Sequence, residues 1–370
     1  MTSSSPRLVD VEDVRAGVDA ILAEHSEALR AELAGIGGDS GALVDALRDM
    51  LWGGKRLRAA LCYWSWRAHG GDPADEVGRR RALRVGAALE LFQAAALFHD
   101  DVMDDSDTRR GRPAAHRVFA SRHAEAAWSG PSVRFGESSA ILLGDLALIA
   151  SEREFALAVE GLPLGTRGAA RGVFDTMRTE VTVGQYLDVL AQALPWGHDP
   201  ADDERRAREV IRAKSARYSV EHPMVLGALL ADAAADAVAR TREVGLPLGE
   251  AFQLRDDLLG VFGDPASTGK PAGDDLREGK RTVLVARALA GSDAQDRARL
   301  EEQLGRRDLT DTDVAELRLL VERSGAVAQV EQLIGELSSP ALARLASSDL
   351  AEPGRTMLLS LGHAVVDRTT

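Results

Sequence analysis

The amino-acid sequence predicts an all-α fold in which helices pack as one large bundle. Three observations favour this class. Ala, Leu and Arg are the commonest residues, and all three are good helix formers. Runs in which Val, Ile and aromatic residues alternate with polar ones, the pattern of half-buried strands, are missing. Apolar side chains recur at helical spacing instead, as in residues 10–34, where Val14, Val18 and Ile21 lie on one face.

Glycine and proline clusters divide the chain into candidate helices of roughly 10 to 30 residues. No change in composition marks a domain boundary, so we predict one domain over residues 1–370, with flexible tails at about 1–10 and 366–370. The clusters predicted to separate helices are residues 35–41, 70–73, 161–165, 195–200, 245–249 and 263–273.

The composition excludes several classes of protein. The formal net charge is −13, which argues against a nucleic-acid partner, because such binding depends on many cationic contacts to phosphates. A single cysteine excludes a disulfide framework and a cysteine-based zinc cluster. No stretch approaches the ~20 apolar residues that span a bilayer, and the first ten residues lack a signal-peptide core. We therefore expect a cytoplasmic protein without stable membrane insertion.

The most informative segment is FHDDVMDDSDTRRGRP, residues 98–113. Asp100 and Asp104 share one helical face, and Asp101 lies beside them. The preceding helix is apolar almost all round, and carboxylates at its C-terminal end repel one another and oppose the macrodipole. A bound cation would relieve this cost, and hard oxygen ligands are typical of Mg²⁺ sites. Arg109 and Arg110 follow, and guanidinium groups match phosphate oxygens in a bidentate way.

A second acidic cluster repeats this logic. In AFQLRDDLLGVFGDP, Asp256 and Asp257 follow an apolar-faced helical stretch, and Gln253 lies one turn before them. The two clusters are far apart in sequence. Together they suggest a cavity with carboxylates on opposite walls and several metal ions between them, which would let an acidic protein bind an anionic substrate.

Basic residues also cluster beside glycine. Lys55, Arg56 and Arg58 follow a Gly-Gly pair, and further basic residues stand in TGK and EGKR at 268–270 and 278–281. Glycine lets a backbone approach a ligand closely. In a protein of charge −13, these positively charged groups are candidates for contacts with an anion.

The order of these motifs resembles that of the trans-polyprenyl diphosphate synthases. The chain carries GGKRLR, then DDVMD followed by RRGRP, then KSARY, FQLRDD and GKPAGDDLREGKRT, and the likeness runs from about residue 15 to about 365. It is most like the bacterial geranylgeranyl diphosphate synthases. The resemblance implies a large all-α isoprenoid synthase fold around a deep central cavity, and a homodimer.

The resemblance also implies the chemistry. Several Mg²⁺ ions would bind the diphosphate of an allylic substrate and stabilise it as it leaves, and isopentenyl diphosphate would attack the allylic cation. The implied metal ligands are Asp100, Asp101, Asp104, Asp256 and Asp257. The implied catalytic residues are Asp100, Asp101, Asp104, Lys214, Gln253 and Asp256.

The resemblance assigns the substrate sites residue by residue. The isopentenyl diphosphate site would comprise Gly54, Lys55, Arg58, Gln93 and Arg110. The allylic diphosphate site would comprise Arg109, Lys214, Lys270 and Lys280. Oxygen atoms of Ser215 and Gln253 would face the allylic cation.

Two positions depart from the family pattern. Gln93 stands where many members carry His, and an amide can still hydrogen-bond a phosphate. Gly260 stands where the second motif often ends in Asp, which removes one carboxylate from that metal site. Asp264 or Asp275 could supply it instead.

Product length would depend on residues before the first aspartate. Ala95 and Ala96 are small and would let the chain grow past the farnesyl stage, and Leu91 or Phe92, about one turn further, would stop it. We therefore expect geranylgeranyl diphosphate, with farnesyl or a twenty-five-carbon diphosphate as alternatives. Another helix, around residues 181–186, could also supply the cavity floor.

Three other functions compete with this interpretation. A class I terpene cyclase needs no isopentenyl diphosphate site, so GGKRLR and RRGRP argue against it. A phosphohydrolase using His99 and Asp100 as metal ligands would need further histidine ligands at matching spacing. A non-catalytic partner subunit would be expected to have lost metal ligands, yet all five aspartates are present.

Overall fold

The described part of the computed structural model covers residues 11–197, 199–263 and 273–367, and these residues are almost entirely helical, as the sequence predicts. They form sixteen α-helices. The first eight are α1 (Val14–Ala34), α2 (Gly41–Leu51), α3 (Leu57–Ala68), α4 (Glu76–Met103), α5 (Ala115–Glu125), α6 (Ser132–Val159), α7 (Leu164–Ala193) and α8 (Pro200–Val210). The others are α9 (His222–Leu230), α10 (Ala235–Phe262), α11 (Asp274–Glu278), α12 (Val283–Gly291), α13 (Ala294–Gln303), α14 (Asp311–Arg323), α15 (Ala326–Ala346) and α16 (Gly354–Val366).

Shorter elements complete the described chain. Two 3₁₀ helices span Val11–Asp13 and Gly38–Ser40, and a π-helix spans Ile211–Glu221. Two short strands, β1 (Thr108–Arg109) and β2 (Arg112–Pro113), pair antiparallel. No helix in the described ranges is long and apolar enough to cross a membrane.

The contacts between residues group the chain into two compact units. The first contains the described residues through Phe174 together with Pro223–Ala239 and Asp349–Leu361. The second contains Asp175–His222 and the described parts of 240–348 and 362–370. The single domain expected from the uniform composition therefore stays a prediction.

Helix α4 is the central element of the first unit. Asp75 caps its N-terminus, since the Asp75 side chain accepts a hydrogen bond from the backbone amide of Val77, and the helix packs against α1, α3 and α6. Its contact with α6 is close, because the hydroxyl of Ser151 donates to the carbonyl of Ala88 at 2.7 Å. Residues from Val85 to Phe92 are all buried. A buried helix of this length can hold the side chains at its C-terminal end in fixed positions.

One predicted break is wrong. Residues 245–249 lie inside α10, which continues through Pro247. A Cβ atom on Gly245 would come within 2.8 Å of the Cα of Glu221, and one on Gly249 would collide with the backbone of Ala216. These glycines therefore serve close packing of α10 against the π-helix rather than a turn. The other predicted breaks fall between helices, except 263–273, most of which lies outside the described residues.

Candidate active site

The first aspartate cluster lies at the C-terminal end of α4. Asp104 caps the helix, and its backbone amide donates to the carbonyl of Asp100 at 2.8 Å. Asp101 and Asp104 are buried, with 1% and 5% of their surface exposed, whereas Asp100 is partly exposed. Buried carboxylates need compensating charge. The prediction that these aspartates end a largely buried helix is confirmed.

A hairpin brings the two arginines back to this cluster. The loop between β1 and β2 consists of Arg110 and Gly111, both with positive φ (53° and 73°), which is the geometry of a two-residue type I′ hairpin. Arg109 Nε donates to Asp101 Oδ1 at 2.7 Å, and its guanidinium lies 3.8 Å from Asp100 Oδ2. In this structure a guanidinium group thus supplies part of the positive charge that the cluster requires.

The glycine-rich loop after α2 lies near the same arginines. Lys55 is exposed, Arg58 is half-buried, and Arg110 donates to the carbonyl of Met50 at 2.8 Å. The charge of Arg110 also interacts with that of Arg58. The first unit therefore brings together the basic residues that the sequence assigns to isopentenyl diphosphate.

Half-exposed residues of α4 form a stripe that leads to the aspartates. Gln93, Ala96, Leu97 and Asp100 follow one another at the i, i+3, i+4, i+7 spacing of one helical face, and all four are half-buried. Ala95 is fully buried and stands one turn before His99, whose ring nitrogen Nε2 lies 3.1 Å from the carbonyl oxygen of Ile141 on α6, so Ala95 is on the face of α4 that meets α6. The two small residues thus occupy different surroundings: Ala96 shares the stripe with Gln93 and Asp100, and Ala95 does not.

The second aspartate cluster lies near the end of α10. Asp257 is buried, and burial raises the pKa of its carboxyl group to about 8, with the carboxylates of Asp275 and Asp256 adding to the effect. Gln253 Nε2 donates to Asp257 Oδ1 at 2.8 Å, which partly offsets that shift. A carboxyl group that is so costly to ionise would gain from a nearby cation.

Gly260 has a structural reason to lack a side chain. A Cβ atom there would collide with Oδ2 of Asp275, so the carboxylate of Asp275 already fills that space. Asp275 is buried, and its Oδ1 lies 3.4 Å from the ammonium group of Lys280. Lys280 also pairs with Glu278 at 2.8 Å. Asp264 and Lys270, two other residues considered from the sequence, lie outside the described residues.

Lys214 and Ser215 lie in the π-helix. Lys214 Nζ donates to Asp188 Oδ2 on α7 at 2.6 Å, and both side chains are largely buried. A Cβ atom on Gly184 would lie 2.5 Å from the backbone nitrogen of Lys214, so this glycine lets α7 approach closely. π-Helical turns often occur at functional sites. Ser215, the residue after Lys214, is half-buried.

The donor chemistry of both clusters fits Mg²⁺. Among the described residues, no group of three His, Cys, Asp or Glu side chains converges tightly enough to form a complete metal site. Mg²⁺ in proteins often binds one or two carboxylates and completes its coordination shell with water and substrate phosphates. The buried carboxylates of Asp101 and Asp257 supply hard oxygen donors of this kind.

Sequence reasoning missed two carboxylates in these surroundings. Asp188 holds Lys214, and Glu90 lies buried beside Arg56. Asp188 follows Gly184 by four residues, which places both on one face of α7. The sequence gives no sign of which distant lysine that face meets.

Comparison with known proteins matches the chain to one family. The Polyprenyl synthetase family model matches residues 41–321. The short chain isoprenyl diphosphate synthase of Methanothermobacter thermautotrophicus is 35% identical over 276 residues, covering 74% of each chain. The geranylgeranyl diphosphate synthase of Mycobacterium tuberculosis is 33% identical over 323 residues, covering 86% of this chain and 83% of the relative.

Solved structures agree with this match. The crystal structure of geranylgeranyl pyrophosphate synthase from Corynebacterium glutamicum, complexed with isoprenyl diphosphate and magnesium, is similar with a TM-score of 0.88. The two proteins are 35% identical, and the similarity covers 96% of this chain and 98% of that one.

Proposed function

The chain belongs to the Polyprenyl synthetase family and is a prenyl diphosphate synthase, and we propose that it condenses isopentenyl diphosphate with an allylic diphosphate to form geranylgeranyl diphosphate. The observation that carries this proposal is the meeting of Asp100 and Asp101, at the end of a buried helix, with Arg109. Such a site offers carboxylates to a metal and a guanidinium group to a phosphate in one place.

The proposed metal is Mg²⁺. When bound, it neutralises the charge of the diphosphate and makes it a better leaving group. We assign its ligands to Asp100, Asp101 and Asp104 in one cluster and to Asp256 and Asp257 in the other. Asp275 is the candidate for the carboxylate that Gly260 cannot provide. We propose that several Mg²⁺ ions bind in each active site.

The allylic diphosphate would be held by cations that already have carboxylate neighbours. Arg109 pairs with Asp101, Lys214 with Asp188, and Lys280 with Glu278. These contacts restrict long side chains to defined positions, so less conformational freedom is lost when a diphosphate binds. Lys270 is assigned to the same role from the sequence alone.

Isopentenyl diphosphate would bind the second set of basic residues, which lies in the first unit. Lys55, Arg58 and Arg110 supply positive charge, Gln93 an amide donor, and Gly54 close backbone approach. Gln93 is on the half-exposed stripe of α4, about two turns before Asp100 and about three turns before Asp104. The two diphosphates would thus bind to separate sets of cations, which is necessary for two substrates of like charge.

The reaction follows from this arrangement. The allylic carbon–oxygen bond breaks, and its electron pair leaves with the diphosphate. The double bond of isopentenyl diphosphate then forms the new carbon–carbon bond, and a proton is lost to the departed diphosphate. Nε2 of Gln253 donates a hydrogen bond to Asp257, so the carbonyl oxygen of Gln253 is the atom that would face the allylic cation, together with the hydroxyl of Ser215.

Helix α6 supports a homodimer. Phe135, Leu142 and Ile149 recur every seven residues, and 37%, 61% and 52% of their surfaces are exposed. A row of large exposed apolar side chains on one helix is costly in water and is typical of an interface. We propose that a second copy of the chain covers it, and that the dimer acts in the cytoplasm.

The activity is tested with purified protein, Mg²⁺, isopentenyl diphosphate and one primer at a time: dimethylallyl, geranyl or farnesyl diphosphate. We expect mass spectrometry to detect linear geranylgeranyl diphosphate. Asp100→Asn should lower turnover by at least about a hundredfold, since a charge-stabilising group at the reacting centre is lost. The matched control is Asp107→Asn, on an exposed residue that pairs with Arg117 and should retain activity.

Other products would change the conclusion. A cyclic hydrocarbon formed from a primer alone would indicate a terpene cyclase. Absence of turnover with every primer would favour a non-catalytic partner subunit.

A further inference from the structure

Arg56 is a buried arginine in a glycine-rich loop. Only 5% of its surface is exposed, and its φ of 54° lies in the left-handed region that non-glycine residues seldom adopt. It stands at the N-cap of α3, between Lys55 and Arg58. An arginine in this position would be expected to point toward solvent or an anion, so its burial needs a cause.

Three acceptors from three parts of the first unit hold the guanidinium group. Nε donates to Asp19 of α1 at 2.7 Å, Nη1 to the buried Glu90 of α4 at 3.3 Å, and Nη2 to the carbonyl of Leu51 at the end of α2 at 2.5 Å. These bonds fix the plane of the fork in all directions. The positive charge of Arg56 is thereby compensated by carboxylates of the protein itself.

Gly54 belongs to the same arrangement. A Cβ atom on Gly54 would lie 2.8 Å from Nη1 of Arg56, closer than such atoms approach one another. The glycine thus makes room for the guanidinium group of its own loop. Arg110 is also close, because the same Cβ atom would lie 3.7 Å from its Nη1, and the charge of Glu90 acts on Arg110 as well.

We propose that Arg56 is a positioning residue for isopentenyl diphosphate, acting through residues 53–58, the glycine-rich loop and the start of α3, which it ties to α1, α2 and α4. With Asp19, Glu90 and the Leu51 carbonyl holding Arg56, the neighbouring residues Lys55 and Arg58 are presented on a fixed backbone. Arg56 itself does not contact the substrate. This inference rests on the proposed function only in naming the substrate.

The test is the double substitution Arg56→Gln with Glu90→Gln. It removes one positive and one negative charge, so the net charge of the loop region is unchanged and no buried carboxylate loses its ion pair. We expect the KM for isopentenyl diphosphate to rise by about tenfold or more, as for displaced binding groups. The KM for the allylic diphosphate and the kcat should stay within about threefold of the parent values, since both constants depend on other residues.

A second measurement is independent of activity. Amide hydrogen exchange of residues 53–58 should become faster in the double variant, because this segment loses its hydrogen bonds to α1, α2 and α4, while exchange in α4 stays as in the parent protein. Arg56→Lys keeps the charge but loses the fork and should resemble the double variant. The control is Arg48→Gln, since Arg48 is 51% exposed and pairs with Glu27 on the surface.

The outcomes separate the two proposals. An unchanged KM for isopentenyl diphosphate, or unchanged exchange of residues 53–58 in the double variant, would overturn the role of Arg56. Lack of condensation by the parent protein would overturn the proposed function, and faster loop exchange in the variant would still confirm that Arg56 holds the loop.

Discussion

The carboxylate of Asp275 occupies the space that a side chain at Gly260 would need. Glycine at position 260 and aspartate at position 275 are therefore linked by geometry. The second motif ends in glycine where an aspartate is often found, yet a carboxylate is still present at that point in space, because the first turn of α11 places Asp275 there. The electrostatic effect of Asp275 on Asp257 places it in the same acidic group.

Exchanging the two side chains tests this relationship. Gly260→Asp alone should destabilise the protein by about 1–3 kcal/mol, because the new side chain has no room. Asp275→Ala alone should lower kcat by about tenfold or more through the loss of a carboxylate from the proposed metal site. The double variant should regain stability in thermal unfolding and part of kcat in the condensation assay. Full activity of Asp275→Ala would show that this carboxylate has no part in catalysis.

The raised pKa of Asp257 predicts how stability depends on pH. The folded carboxyl group keeps its proton up to about pH 8, whereas the unfolded one loses it near the ordinary value of 3.8. Folding therefore takes up a proton between these values, and the contribution of Asp257 to stability falls as the pH rises across that window. Asp257→Asn removes this penalty.

Thermal unfolding without divalent metal measures the effect. We expect the midpoint of Asp257→Asn, relative to the parent protein, to rise between pH 6 and pH 8.5, since only in the parent does unfolding release the proton of residue 257. Asp107→Asn, on an exposed carboxylate, should show no such trend. A difference that is the same at both pH values would contradict the assigned pKa.

The dimer proposal gives a third prediction. Leu142→Glu with Ile149→Glu should place charges in the exposed row of α6 and convert a dimer into a monomer, because charges at the centre of an interface lose their hydration without gaining a partner. Light scattering after gel filtration reads the mass directly. Leu319→Glu is the control, since Leu319 is 57% exposed on α14 and outside the row. A monomeric parent protein would contradict the proposed homodimer.

Local pattern and long-range contacts were not equally predictable from the sequence. Helical spacing placed Asp100, Asp101 and Asp104 at the end of α4, since that pattern depends only on neighbours along the chain. It did not reveal the π-helix around Lys214, nor that Gly245 serves packing inside a helix. The partners of Arg56 and Lys214 were also hidden. Spacing defines the faces of a helix, but the partner of each face depends on tertiary packing.

The surroundings of Ala95 and Ala96 on α4 lead to a prediction about product length. Ala96 lies on the half-exposed stripe of α4 with Asp100, whereas Ala95 is fully buried toward α6. Ala96→Phe should therefore shorten the product to farnesyl diphosphate with little loss of stability. Ala95→Phe should instead overpack the contact between α4 and α6 and cost about 1–3 kcal/mol in unfolding free energy, with the product less affected.

The same geometry separates the two residues one turn earlier. Phe92 precedes Ala96 by four positions and so lies on nearly the same face, while Leu91 points away from the stripe. Phe92→Ala should lengthen the product beyond geranylgeranyl diphosphate, and Leu91→Ala should leave its length unchanged, although both remove buried apolar side chains. Mass spectrometry of the products distinguishes them. If Leu91→Ala lengthened the product and Phe92→Ala did not, the growing chain would lie on another face of α4; if neither did, another helix, such as residues 181–186, would form the floor.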